Sequence, residues 1–223
     1  MQKLFNADLL DIFPTEDGFV YACKEKVNGS DDAIGFFSYN KTADIFDRIP
    51  VNKYIELKFG EDGYRLARDL GDFVTCKIIV MGTNKNIASY PDGKIKVFDD
   101  YGVISQTHKV DYLSSDCSIA ELEGNSLWMS VPEQNALVKY SIDHRRVEFR
   151  IGSKNEKAFA RPLDPVCYDN YLYVCNASSY KITTVSLNSF TVKDYALFNE
   201  PVYKYMRIND YEYVWLESGF YEL

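Results

Sequence analysis

The chain has 223 residues, 33 of them acidic and 25 basic, for a formal net charge of −8. With 46% hydrophobic and 15% aromatic residues it is not a disordered, collagen-like or coiled-coil sequence. No basic excess exists to neutralise phosphates, which argues against nucleic acid as a partner.

The N-terminus, Met1-Gln2-Lys3-Leu4-Phe5-Asn6-Ala7-Asp8, carries no apolar run of signal-peptide length. The longest apolar run, Ile78-Ile79-Val80-Met81, is far short of the ~18 residues that cross a bilayer. A cytoplasmic protein away from membranes is therefore expected. The five cysteines, Cys23, Cys76, Cys117, Cys167 and Cys175, include no CxxC pair and are expected to be buried and reduced. If Asp169-Asn170 turns a hairpin, Cys175 falls opposite residue 164 or so and not opposite Cys167.

Taken along the chain, four segments begin with a short acidic or Gly/Asn turn and continue as an apolar strand. They are Glu16-Asp17-Gly18 before Tyr21, Gly124-Asn125 before Trp128, Asp169-Asn170 before Tyr173, and Asn209-Asp210 before Tyr213. Asn, Asp and Gly accept the positive φ of a tight hairpin turn. A second element, apolar-Ser-apolar-Asn/Asp, follows at Phe37-Ser38-Tyr39-Asn40, Tyr140-Ser141-Ile142-Asp143 and Val185-Ser186-Leu187-Asn188. Its Asn or Asp is expected to cap a turn by bonding the backbone two residues on.

From Trp128 to Tyr173 is 45 residues, from Ile142 to Leu187 also 45, and from Tyr173 to Tyr213 is 40. A period of 40–45 residues with several strands per unit predicts a β-propeller. About five four-stranded blades fit in 223 residues, and the rival architecture is a β-sandwich of short hairpins. An insertion or irregular blade is expected within 54–112, with turn candidates Glu61-Asp62-Gly63 and Pro91-Asp92-Gly93. Its strand candidates are 73–81, 94–98 and 103–109, and Tyr64 to Leu70 is a candidate short helix. The final repeat is one strand short, so 3–7 is expected to supply its outer strand and close the ring.

The stretch Phe159-Ala-Arg-Pro162-Leu-Asp-Pro165-Val-Cys-Tyr-Asp169-Asn-Tyr-Leu-Tyr173-Val174, followed by Ile182, resembles the NHL repeat and the related YVTN and SMP-30-type propellers. Asp164-Pro165 stands where that repeat usually has glycine, and Cys175-Asn176 where it often has Asp. The resemblance implies a propeller and leaves function open, because propellers host binding modules, hydrolases and lyases alike. Its SMP-30 branch implies one alternative, a metal-dependent hydrolase or lactonase with oxygen ligands at the axis.

Signals for chemistry are sparse. His108 and His144 are the only histidines, and His144 falls in a turn. There is no GxSxG elbow, GxGxxG or GxxxxGK loop. Asp17, Asn125, Asp169, Asn170, Asn209 and Asp210 are explained as hairpin turns. No catalytic residue, metal ligand or cofactor is assigned. What remains is the face formed by the links between blades (51–54, 114–117, 153–164, 199–203) and by loops within blades (24–32, 132–135, 176–180). Glu133, Arg161, Asp164, Asn176, Glu200 and Glu217 lie in or beside these loops and are the candidate ligand-binding residues. The expected function is a non-catalytic recognition module, a monomer that binds a protein or a small polar ligand.

Overall fold

A computed structural model of the chain describes residues 1–6, 8–27, 30–61, 63–81 and 84–223, with side chains except at 27 and 30–32. Strand β1 (Gln2–Phe5) leaves its sequence neighbours to join the far end of the chain. Blade 1 follows as β2 (Asp8–Thr15), β3 (Gly18–Val27), β4 (Ser30–Asn40) and β5 (Ile45–Arg48). Two helices come next, α1 (Val51–Phe59) and α2 (Gly63–Leu70). Blade 2 is β6 (Lys77–Val80), β7 (Asn86–Ser89), β8 (Lys94–Phe98) and β9 (Ile104–Lys109). A small hairpin, β10 (Asp111–Tyr112) with β11 (Ser115–Asp116), precedes blade 3. That blade is β12 (Ser118–Glu123), β13 (Ser126–Val131), β14 (Ala136–Ser141) and β15 (Arg146–Ile151). Blade 4 is β16 (Pro162–Tyr168), β17 (Tyr171–Asn176), β18 (Lys181–Ser186) and β19 (Val192–Leu197). Blade 5 comprises β20 (Val202–Ile208), β21 (Tyr211–Leu216) and β22 (Gly219–Glu222), with β1 pairing antiparallel to β22 as its outer strand. The architecture is thus a five-bladed β-propeller whose ring is closed by its two ends. The expected closing strand, 3–7, includes Ala7, which lies outside the described residues.

Two-residue turns set the blade register. Thr15 pairs with Gly18, Glu123 with Ser126, Tyr168 with Tyr171 and Ile208 with Tyr211. At the third of these turns Asp169 (φ 50°) and Asn170 (φ 64°) are both left-handed, the conformation a twisted hairpin requires. Counting from these turns, Trp128, Tyr173 and Tyr213 occupy equivalent positions and are buried. Tyr21 does not share that position. Gly18 belongs to the strand and not to the turn, so Val20 is the equivalent residue. Val20 packs toward α1, whereas Tyr21 faces the other way and stacks on Phe5 (4.5 Å) and Phe37 (5.0 Å).

The turn caps differ from expectation in the same way. Ser141 and Ser186 accept from the backbone N–H three residues on, at His144 (3.2 Å) and Ser189 (3.3 Å). Asn40 fills the same slot in blade 1, accepting from Ala43 N–H at 2.8 Å. Asp143 instead accepts from Asn125 Nδ2. Cys175 pairs with Leu163, and all five cysteines are free.

Apolar side chains fill each gap between blades. Met129, Leu127 and Val138 meet Ile87 and Ile95 between blades 2 and 3, and Trp128 and Leu137 meet Leu172 and Val174 between blades 3 and 4. Tyr173 and Ile182 meet Tyr205 and Val214, and Tyr213 and Phe220 meet Phe19 and Ile12. The gap between blades 1 and 2 is wedged open by the helices. Tyr54 and Ile55 of α1 pack on Val20 and Ala22, while Leu66 and Leu70 of α2 pack on Cys76, Ala88 and Phe98. The link at 51–54, expected as a loop of the binding face, is therefore the first turn of a helix. Pro50 precedes that turn, and Tyr54, Ile55 and Phe59 sit on one face at i, i+1 and i+5. The expected helix at 64–70 is α2, and Pro91-Asp92-Gly93 turns β7 into β8. The other turn candidate, Glu61-Asp62-Gly63, includes Asp62, which is outside the described residues.

Candidate functional site

The innermost strand of each blade runs along the central axis. In β2, β12, β16 and β20 the ladder register shifts partway along the strand. Such bulges insert an extra residue and re-aim its neighbours. Each inner strand presents one charged side chain toward the axis: Asp11, Glu121, Asp164 and Lys204 from the four bulged strands, and Lys77 from β6, whose ladder is regular. Helix α1 supplies a sixth, Lys58, whose side chain is only 5% exposed.

These six groups form an open circuit of alternating charges that runs from Lys58 to Glu121. Lys58 Nζ lies 2.7 Å from Asp11 Oδ2 and donates to Val74 O at 2.7 Å. Tyr54 donates its hydroxyl to the same Asp11 oxygen at 2.9 Å. Lys204 Nζ stands 3.8 Å from Asp11 Oδ1 and 3.4 Å from Asp164 Oδ2. Lys77 Nζ stands 3.8 Å from Asp164 Oδ1, 2.6 Å from Glu121 Oε2 and 3.3 Å from Pro165 O. Three ammonium and three carboxylate groups leave the circuit neutral. Burial would lower the Lys77 pKa, but Glu121 and Asp164 outweigh it and hold the ammonium above its usual range. Burial and then Asp11 push the Tyr54 hydroxyl well up.

The circuit divides the channel in two. Asp11, Lys77, Asp164 and Lys204 line a cavity of about 380 Å³ on one side and another of about 380 Å³ on the other. The first opens on the face carrying the blade-to-blade links. Above its charged floor stands a second tier, one or two residues earlier in the chain: Leu10, Ile119, Leu163 and Tyr203 of the inner strands and Thr75 just before β6. Trp215 completes the wall, edge-on to Tyr203 at 5.6 Å. The result is a bowl with apolar walls and a charged base.

Of the six candidate residues, Asp164 lies in the floor of this bowl. Arg161, Glu200 and Glu217 surround Tyr203 at the rim. Burial and Glu217 raise the Tyr203 hydroxyl pKa, Arg161 lowers it and Glu200 raises it. Glu217 also borders a depression that shares Tyr203 and Trp215 with the bowl. Glu200 is held by Ser218 through its N–H (2.7 Å) and hydroxyl (2.5 Å). Glu133 is exposed on the short 3-10 turn Pro132–Gln134. Asn176 is fully buried, accepting from Ala160 N–H and donating to Val174 O and Thr183 Oγ1. The floor lysines Lys58, Lys77 and Lys204 carry no signal in the sequence, whereas Leu163 and Tyr203 of the tier fall within the expected links 153–164 and 199–203.

Elsewhere, His144 Nδ1 lies 3.1 Å from both Ser141 Oγ and Glu148 Oε1. Both partners meet one ring nitrogen, so this is not a serine–histidine–carboxylate relay, which uses the two nitrogens separately. Among the described residues no three His, Cys, Asp or Glu side chains gather as a metal-holding group, and no helix is long and apolar enough to cross a membrane.

No protein-family model matches the chain, and none of the curated proteins matches it in sequence. Solved structures similar to it include streptogramin B lyase, with a TM-score of 0.51 and 12% identity over 99% of this chain and 70% of that one. Sqt1 of Saccharomyces cerevisiae has a TM-score of 0.55 and 9% identity over 95% of this chain and 70% of that one. Both are β-propellers, and at these identities the likeness is one of fold.

Proposed function

We propose that the chain is a recognition module that binds at the axial bowl, taking a small ligand or a side chain presented by a protein partner. The observation that carries this reading is the bowl's construction: one wall residue per blade above a floor of three ammonium and three carboxylate groups, neutral as a whole. Arg161, Glu200 and Glu217 at the rim would meet the polar parts of what binds, and Asp164 would meet its buried end. NHL-type repeats, which the 159–195 segment resembles, fit such a role. Five free cysteines fit a reducing, cytoplasmic setting.

One observation favours a second reading, a metal-dependent hydrolase. Asp11, Glu121 and Asp164 bring three carboxylates near the axis, and oxygen ligands of that kind suit calcium or magnesium, although the three are not gathered around one point. Lysines stand between them, however, and an ion would have to displace ammonium groups at 2.6–2.7 Å. A native-state ion adds RT ln(1 + [L]/Kd) of stability, about 2.7 kcal/mol at a hundredfold excess over Kd. The recognition reading therefore expects an unchanged Tm with EDTA and with added calcium or magnesium. A Tm that falls on chelation and recovers with either ion would replace it with the hydrolase.

A further inference from the structure

Two charged groups in the bowl floor are incompletely matched. Asp164 Oδ1 is buried and accepts no hydrogen bond. Lys204 reaches its carboxylates only at 3.4 Å and 3.8 Å, whereas Lys58 and Lys77 hold theirs at 2.6–2.7 Å. A buried acceptor without a donor is costly, and so is an ammonium held at long range. The two groups are neighbours, and both residues line the bowl and the cavity beneath it.

A ligand could complete both at once, and the charge count limits its chemistry. The six-membered circuit is neutral, so an anionic head group would gain Lys204 but repel Asp164 and leave the floor with a buried excess charge. A cationic head would do the reverse. A neutral group with a donor beside an acceptor avoids both penalties. A carboxamide can donate N–H to Asp164 Oδ1 and accept from Lys204 Nζ. The walls set the rest of the molecule. Leu10, Ile119 and Leu163 are aliphatic, and the edge-to-face pair of Tyr203 and Trp215 offers an aromatic surface. A volume of about 380 Å³ is at the small end of ligand cavities, which run ~300–1,000 Å³.

We infer that the bowl selects a flat apolar molecule, or an equivalent side chain, whose buried head is an uncharged donor–acceptor group of the carboxamide kind. This rests on the recognition reading above and narrows it to a chemical class.

Three probes with one body and different heads test it: indole-3-acetamide, indole-3-acetate and tryptamine, titrated against the full chain by calorimetry. The amide is expected to bind most tightly, with the acetate and the amine roughly tenfold weaker or worse, as for a site left with unpaired groups. Asp164→Asn gives the floor a net positive charge and should move the preference toward the acetate. Lys204→Gln gives it a net negative charge and should move the preference toward tryptamine. Either variant suffices if the other fails to fold, as judged by its melting curve. Equal affinities, or an ionic probe binding best to the unaltered chain, would overturn the head-group inference and leave the bowl as a binding site. Binding by none of the three would overturn the bowl itself as a site for aromatic ligands.

Discussion

Tyr173 shows how one side chain can join two blades. Its ring stacks on Tyr205 at 4.9 Å, and the Arg207 guanidinium lies 4.8 Å from its centroid. Arg207 donates to the Tyr173 hydroxyl at 3.0 Å, to Tyr205 at 2.7 Å and to Glu212 at 3.0 Å, which fixes blade 4 against blade 5. The Tyr195 and Tyr205 hydroxyls outweigh burial in raising the Arg207 pKa, so the cation stays charged. His144, by contrast, has a side chain 66% exposed in a turn. Truncating a buried aromatic typically costs ~3–5 kcal/mol, while surface changes stay within about 0.5 kcal/mol. Chemical denaturation should therefore show a large loss for Tyr173→Ala and almost none for His144→Ala. Equal midpoints would contradict the blade packing. Tyr173 was legible because an Asp-Asn turn fixes its register. Arg207 was not, because the tyrosines that receive its guanidinium lie 2 to 34 residues away on three strands.

At the scale of the element, β22 is the strand on which closure depends. It pairs with β21 on one side and β1 on the other, so its backbone groups are used in both directions. Gly219 makes the approach possible. At φ 145° a Cβ there would stand 2.6 Å from Phe5 O. Phe5 seals the joint by packing on Phe220 (5.4 Å), Tyr21 (4.5 Å) and Phe46 (5.8 Å). All amides of 219–222 should then exchange slowly with deuterium. A chain lacking residues 1–6 should lose protection at every second one of them and aggregate through the open edge. Fast alternating exchange in the full chain would mean that β1 is not there. This closure could be read from the missing strand of the last repeat. Helix α1 could not, since its nine residues follow a proline that reads equally well as part of a loop. The Tyr21 register slipped for a related reason: Gly18 can end a turn or begin a strand, and one residue exchanges the two faces of a strand.

For the whole molecule, the period of 40–45 residues carried the blade count, and that much follows from repeated turns and buried aromatics. The bowl follows from something the period does not contain. Bulges in four inner strands decide which residues meet the axis, and a bulge is a local slip in pairing with no composition of its own. Asp164 was found because it ends the 153–164 link of the expected binding face. Lys77 and Lys204 look like any surface lysine until five blades bring them to one line.

The chain has two tryptophans, and they report on different places. Trp128 is fully buried between blades 3 and 4, its indole N–H donating to Glu123 at 2.8 Å, whereas Trp215 forms the wall of the bowl. Their two indole N–H signals in a proton–nitrogen NMR spectrum, assigned with Trp215→Phe, test the binding site most directly. Titration with indole-3-acetamide should move the Trp215 signal saturably and leave the Trp128 signal in place. A spectrum in which neither signal moves, or both move together, would contradict an aromatic-ligand site at the axial bowl.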